Sequence, residues 1–341
     1  MKRSIAGIAG VVGMCGAVQG ACAQETITLR MAGFLPPSHY MVTEGSQVFM
    51  DEVTRLTGGR VEWQYFPAEQ LGKATEMLNM AQLGVADVLE VAPSYETAKW
   101  PLSGVLEMPG NAYSSCEAAN AFRALGDPGG IIHDSEYAPS GIRVLTYETM
   151  PPYSVHSRVE IAAPEAFAGK KLRPAGAGME LSVSALDAVG VKVPSGEIYE
   201  AAARGTVDAV MTSFAAAKAY GLRDVAKHAF TGYPFGQGSV FFSISEKKFR
   251  ALPEDVQSAL VEAGKVAEQN LCRYMDDLEA TEMAGARDEG VEIYQATDAD
   301  RQAMDKTLES VGIDWAASVD AQGKPGTATL EAYRAALAAG K

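Results

Sequence analysis

The chain has 341 residues, 47% of them hydrophobic and 21% charged, which excludes a disordered or collagen-like chain and suits a folded protein of about two domains. Acidic residues number 43 against 29 basic ones, a net charge of −14, so the surface repels phosphate backbones and anionic lipid. An anionic ligand would have to be drawn in by a few local cations working against that field, which makes any buried arginine significant.

At the N-terminus, Met1-Lys2-Arg3 precedes an uncharged, Gly- and Ala-rich stretch that ends in Ala21-Cys22-Ala23. Residues 1–23 read as a secretory signal peptide cut after Ala23. A membrane anchor would need a more apolar run, and lipid modification at Cys22 would need a Leu-like residue where Gln19 stands. Cleavage leaves Cys116 and Cys272 in an oxidising compartment. One disulfide and two separately buried thiols both suit the sequence.

Strand-like and helix-like runs then alternate: strand 27–33, helix 44–56, strand 61–66, helix 74–83 and strand 88–91. A second series has strands 144–147, 153–156 and 171–173, helix 179–189, strand 191–194, helix 197–204 and strand 209–211. This is the element order of an α/β protein. In each series a helix, a glycine, two residues, an aspartate and an apolar strand recur, at Gly84 and Asp87 and again at Gly205 and Asp208. Two similar lobes would produce that echo, and so would the ordinary wording of a helix-to-strand loop.

From Pro253, apolar residues recur at Val256, Ala259, Leu260, Ala263, Val266, Ala267, Leu271, Tyr274, Met275 and Leu278, with no breaker before Gly285. A helix of about 35 residues measures roughly 50 Å, longer than one small lobe, so it is expected to run along both. The Ala-rich contact positions suit packing onto a sheet better than a coiled-coil dimer.

Catalytic patterns are missing. The sequence has no G-x-S-x-G, H-E-x-x-H or P-loop, and its histidines at 39, 133, 156 and 228 lack metal-ligand spacing. No enzyme, metal or cofactor is expected, and a periplasmic hydrolase would need a nucleophile and base that cannot be found. What stands out is Lys170-Lys171-Leu172-Arg173-Pro174. A strand that turns Leu172 inward sends Arg173 to the opposite face, and Pro174 then leads the chain out of the sheet. A guanidinium there can face a cleft and grip a carboxylate through two parallel hydrogen bonds.

Thr57-Gly58-Gly59-Arg60-Val61, Phe66-Pro67-Ala68-Glu69-Gln70-Leu71-Gly72, Gly84-Val85-Ala86-Asp87 and Met108-Pro109 resemble the first lobe of the solute-binding proteins of tripartite ATP-independent periplasmic (TRAP) transporters. Ala168-Gly169-Lys170-Lys171-Leu172-Arg173, Asp187-Ala188-Val189-Gly190-Val191, Gly196-Glu197-Ile198-Tyr199 and Gly205-Thr206-Val207-Asp208 resemble the second. The match runs in order from about 27 to 253. It implies hinged α/β lobes with a long helix spanning both, a two-lobed periplasmic binding protein fold, with lobe I from 24–148 plus 237–275 and lobe II from 149–236 plus 276–341. It also implies capture of a small organic acid in the periplasm and delivery to the membrane permease subunits of a TRAP transporter. The same fold serving as the ligand-presenting subunit of a periplasmic sensor is the alternative.

The family's carboxylate-gripping arginine maps onto Arg173. Two positions depart from the family pattern: Pro152 stands where many members carry a second Arg, and Thr212 where many carry Asn. Losing a cation and an amide points to a monocarboxylate with an apolar or aromatic body. Phe34, Tyr40, Tyr95, Tyr153 and Phe214, all near strand C-terminal ends, are expected to line the pocket beside Arg173, Thr212 and His156.

Overall fold

The computed structural model describes residues 25–340, so the signal-peptide segment lies outside the described residues. Along the chain run strands β1 (Ile27–Ala32), β2 (Val61–Phe66), β3 (Val88–Val91), β4 (Ile142–Val144), β5 (Glu148–Thr149), β6 (Ser154–Ser157), β7 (Lys171–Arg173), β8 (Val189–Gly190), β9 (Ala209–Thr212), β10 (His228–Thr231), β11 (Ser239–Ser245) and β12 (Glu292–Gln295). The helices are α1 (Gln47–Leu56), α2 (Met77–Leu83), α3 (Ser115–Gly126), α4 (Ala177–Ala185), α5 (Ile198–Ala203), α6 (Phe214–Ala219), α7 (Glu246–Ala251), α8 (Glu254–Asp288), α9 (Asp298–Asp320) and α10 (Gly326–Ala339).

Two sheets divide these strands into two lobes. One has the order β2-β1-β3-β11-β4, with β5 also on β11, and the other has the order β12-β10-β6-β9-β7-β8. β3 and β9 lie inside their sheets and are buried along their whole length. Both read as unbroken apolar or neutral runs except for Glu90, as expected of strands covered on both faces.

The echo between the two halves is structural. Gly84 and Gly205 both take left-handed conformations after their helices, at φ 72° and 73°. Asp87 then exchanges bonds with β1, its N–H donating to Arg30 C=O at 2.8 Å and its carboxylate accepting Arg30 N–H at 2.8 Å. Asp208 repeats this on β7, its N–H donating to Lys171 C=O at 2.8 Å and its carboxylate accepting Lys171 N–H at 2.9 Å. In each lobe the aspartate locks the register of the strand whose far end reaches the cleft.

Three of the expected elements differ. The strand expected at 144–147 stops at Val144, because Phe242 N–H is taken by the Thr146 side chain rather than by a backbone partner. The helix expected at 179–189 spans Ala177–Ala185, and Asp187 turns the chain at φ 54°. The strand expected at 191–194 lies earlier, at Val189–Gly190, where Lys171 and Leu172 offer edge partners.

Residues 150–153 and 232–238 carry the chain between the lobes and are tied to each other. Met150 N–H donates to Gly238 C=O and Tyr153 N–H to Gly236 C=O, both at 2.9 Å. The third crossing is α8, which packs on α1 and α3 beside the first sheet and on α6 beside the second. Val256, Leu260, Ala263, Leu271 and Met275 are buried as their spacing predicts, but Val266 and Tyr274 are 38% exposed. Gly264 brings the helix against Leu145, whose carbonyl leaves no room for a Cβ.

A second face of α8 holds the lobes through polar groups at three- and four-residue spacing. Glu268 pairs with Arg123 of α3, Cys272 is bonded to Cys116 of α3, and Asp276 accepts the N–H groups of Ser115 and Cys116. One turn on, Glu279 accepts Phe214 and Ala215 N–H at 2.8 and 2.9 Å, capping α6. Carboxylates thus satisfy the orphan donors at two helix starts. Of the two cysteine states the sequence allows, the structure has the disulfide.

Candidate functional site

Between the lobes lies a cleft of about 40 Å3 walled by residues that follow or end strands. Phe34 follows β1, Tyr95 follows β3, Arg173 ends β7 and Thr212 ends β9, while Tyr153 comes from the crossing segment. Strand C-terminal ends collect here because the parallel βα units of both lobes point the same ends at the gap.

Arg173 is 4% exposed. Leu172 beside it is fully buried in the core, so the two-residue strand period delivers the guanidinium to the cleft. Its Nε donates to Val193 C=O at 2.9 Å, which fixes the orientation of the fork, and the residue lines the gap. The other buried arginines have acids as partners: Arg60 pairs with Asp255, and Arg223 with Glu282 and Glu289. Arg173 is held by a neutral carbonyl instead, and among the described residues it is the only charged side chain lining the cleft. A buried cation without a matched anion is costly.

The acid beside it is Glu107, which is already engaged. Its carboxylate accepts the N–H of Gly178 at 2.6 Å and of Met179 at 3.3 Å, at the first turn of α4. Burial pushes its pKa up to about 7, against the opposing pull of those two N–H groups and of Arg173.

Hydroxyls complete the wall. Burial raises the pKa of Tyr153, and pushes that of Tyr220 up to about 12, so both remain O–H donors at neutral pH. Tyr153 donates only to the thioether of Met150, a weak acceptor. Tyr95 reaches across the gap to Ser195, accepting its N–H at 3.2 Å and donating to its Oγ at 3.3 Å.

Of the residues expected to form the pocket, the structure brings Arg173, Thr212, Phe34, Tyr95 and Tyr153 together. Tyr40, Phe214 and His156 stand elsewhere. Tyr40 is buried against His39, with ring centroids 4.4 Å apart. Phe214 opens α6, where its N–H meets Glu279 and its ring meets His156 edge-on at 4.7 Å. His156 is buried in β6, and loss of solvation lowers its pKa to about 3, leaving it a neutral packing group. Tyr220 and Ser195 line the cleft without having been singled out. Neither sits at a strand end, and only the bend at Gly221, φ 69°, and the preceding Pro194 mark the turns that present them.

The model of the bacterial extracellular solute-binding protein family 7 matches residues 31–317. A solute-binding protein of Roseobacter denitrificans is 25% identical over 267 residues, covering 78% of this chain and 80% of the relative. A TRAP solute-binding protein from Rhodoferax ferrireducens, solved with copurified benzoate, superposes with a TM-score of 0.82 at 20% identity, over 92% of this chain and 98% of the other. One from an unidentified marine microbe, specific for aromatic acid ligands and solved with 3-hydroxybenzoate, gives 0.84 at 18% identity over the same shares. At these identities the likeness establishes the fold.

Proposed function

The chain belongs to the bacterial extracellular solute-binding protein family 7, the solute receptors of TRAP transporters, and from that premise we propose that it captures an organic monocarboxylate with an apolar or aromatic body. The observation that carries this reading is Arg173, buried, oriented by Val193 and, among the described residues, in no ion pair with an acid. An incoming carboxylate supplies the missing anion, and each charge then offsets the desolvation of the other. Phe34, Tyr95 and Tyr153 supply ring surface, and Thr212 a hydroxyl, for the body of the ligand. With Pro152 on the crossing segment and Arg173 the only lining cation among the described residues, a second carboxylate would be buried without a partner. That two of the fold's neighbours were solved with benzoate and 3-hydroxybenzoate supports the aromatic-acid reading.

In this reading the protein works in the periplasm after loss of residues 1–23 and hands its ligand to a membrane permease without chemical change. The working division of the chain is 24–148 plus 237–275 for lobe I and 149–236 plus 276–341 for lobe II. α10 then crosses back to pack on α3.

A thermal-shift screen of the mature chain against mono- and dicarboxylates tests the proposal. A true ligand at 100 times its dissociation constant stabilises the protein by about 2.7 kcal/mol. Aromatic monocarboxylates are expected to shift the transition, succinate is not, and Arg173→Ala is expected to abolish the shift while folding normally. A variant lacking Arg173 that binds with unchanged affinity overturns the anchor.

A further inference from the structure

Two spaces meet at Tyr95. The inner one is the cleft of about 40 Å3 that holds Arg173. The outer one, about 450 Å3, has walls that include Thr75, Thr97, Gly176, Lys192 and Pro194. Ser94, Tyr95 and Ala175 line both. Thr97, Lys192 and Pro194 are exposed, so the outer chamber lies on the solvent side of the partition. Nothing in its lining repeats the buried arginine: Lys192 is paired with Glu180 at 3.5 Å.

The partition is built from both lobes. Tyr95 ends the short turn Pro93–Tyr95 after β3, and Ser195 begins the turn Ser195–Glu197 that leads into α5. The Tyr95 hydroxyl binds Ser195 twice, through its N–H and its Oγ. Phe34 braces the ring from the first lobe, with centroids 6.3 Å apart. A ring held at its far end by two hydrogen bonds and along its body by a second ring cannot swing aside without losing both.

We propose that the Tyr95–Ser195 contact is a length gate that sets how long a carboxylate the closed protein accepts. This rests on the reading of Arg173 as the anchor. With one end fixed at Arg173, the body of the ligand runs toward Tyr95 and must end there. At about 40 Å3 the inner space is smaller than a ring, so even compact acids must part its walls, and they can do so with the Tyr95–Ser195 contact kept. Longer ones need the volume of the outer chamber, and to reach it they must displace Tyr95 and break one of the bonds that join the lobes. The selection is therefore by exclusion: a long acid loses closure.

Calorimetric titration of the mature chain with two homologous series, propionate to decanoate and benzoate to 4-phenylbutyrate, tests this. Wild type is expected to bind short members and to fall off beyond a defined length. Tyr95→Ala joins the two spaces and is expected to gain about tenfold or more for the longest acids, the scale on which a pocket judges one or two methylenes, while short acids weaken. Tyr95→Leu is expected to move the cut-off part of the way, which keeps the test decisive should Tyr95→Ala fold poorly. Tyr95→Phe keeps the bulk and loses the bond that holds the ring, so the cut-off is expected to move to longer acids, by less than in Tyr95→Ala, while short acids weaken. An unchanged cut-off in both Tyr95→Ala and Tyr95→Leu, or a wild type indifferent to length, overturns the gate. A wild type that binds no member of either series overturns instead the assignment of Arg173 and this cleft, and the gate with it.

Discussion

The carboxylate of Glu107 accepts the backbone N–H of Gly178 at 2.6 Å, joining the turn Leu102–Glu107 to the start of α4. The approach exists because Gly176 and Gly178 have no side chains: a Cβ on Gly176 would overlap that carboxylate, and one on Gly178 would overlap Met108 Cε and the Glu107 side chain from its Cβ to its carboxylate. The same acid helps to offset the charge of Arg173 without pairing with it.

Gly178→Ala is therefore expected to expel the Glu107 carboxylate and leave buried N–H groups unpaired, costing about 1–3 kcal/mol in urea unfolding. Glu107→Gln, which keeps an acceptor oxygen, is expected to cost less than Glu107→Ala. Equal stability of Gly178→Ala and wild type would show that the contact contributes nothing.

The Cys116–Cys272 bond closes a loop with a sequence separation of 156 and ties α3 to α8 beside the Arg123–Glu268 pair and the Asp276 cap. Long loops gain most from closure. Reduction, or the double change Cys116→Ala and Cys272→Ala, is expected to lower stability by about 2–4 kcal/mol. Ligand affinity at a permissive temperature should not change, because neither residue lines the cleft. A melting temperature insensitive to reductant would contradict this.

Burial raises the carboxyl pKa values of Glu90, Glu107, Glu136 and Glu279 to about 7, from an unfolded value of 4.5. A group held above its unfolded value contributes stability below about pH 4.5 and loses it as pH rises through about 7. Burial lowers His39 to about 4 and His156 to about 3, from 6.5, and these act in reverse, withdrawing stability as pH falls below 6.5. Above pH 6.5 the histidine contribution levels off and the carboxyls dominate. The melting temperature is expected to fall between pH 6.5 and 8, and Glu279→Gln is expected to flatten that slope. A melting temperature that climbs over this interval would refute the assignment.

Much of the fold was legible along the chain because it depends on local periodicity and on backbone conformations that few residues adopt. Gly84 and Gly205 marked the helix ends, Asp87 and Asp208 the strand starts, and the three-and-four spacing from Val256 marked α8 over its 35 residues. The same alternation that buries Leu172 identified Arg173. Where the chain turned on a single residue, as at Asp187, apolar spacing ran on past the end of α4 and misled.

The composition of the cleft wall was another matter. Phe214 and Tyr40 follow strand ends just as Tyr95 does, yet α6 turns Phe214 toward Glu279 and His156, and Tyr40 packs on His39, while Tyr220 and Ser195 arrive from turns with no strand beside them. Sequence alone determined the α/β element order, the long helix and the arginine at the end of β7, because those follow from hydrophobic period and backbone preference, and it pointed to two lobes only through the family resemblance. Which aromatics line the cleft, and that Tyr95 meets Ser195, were decided only when β6, β9 and β10 paired and the crossing segments brought two lobes together, since contact between residues 100 positions apart is set by packing and not by neighbours in the chain.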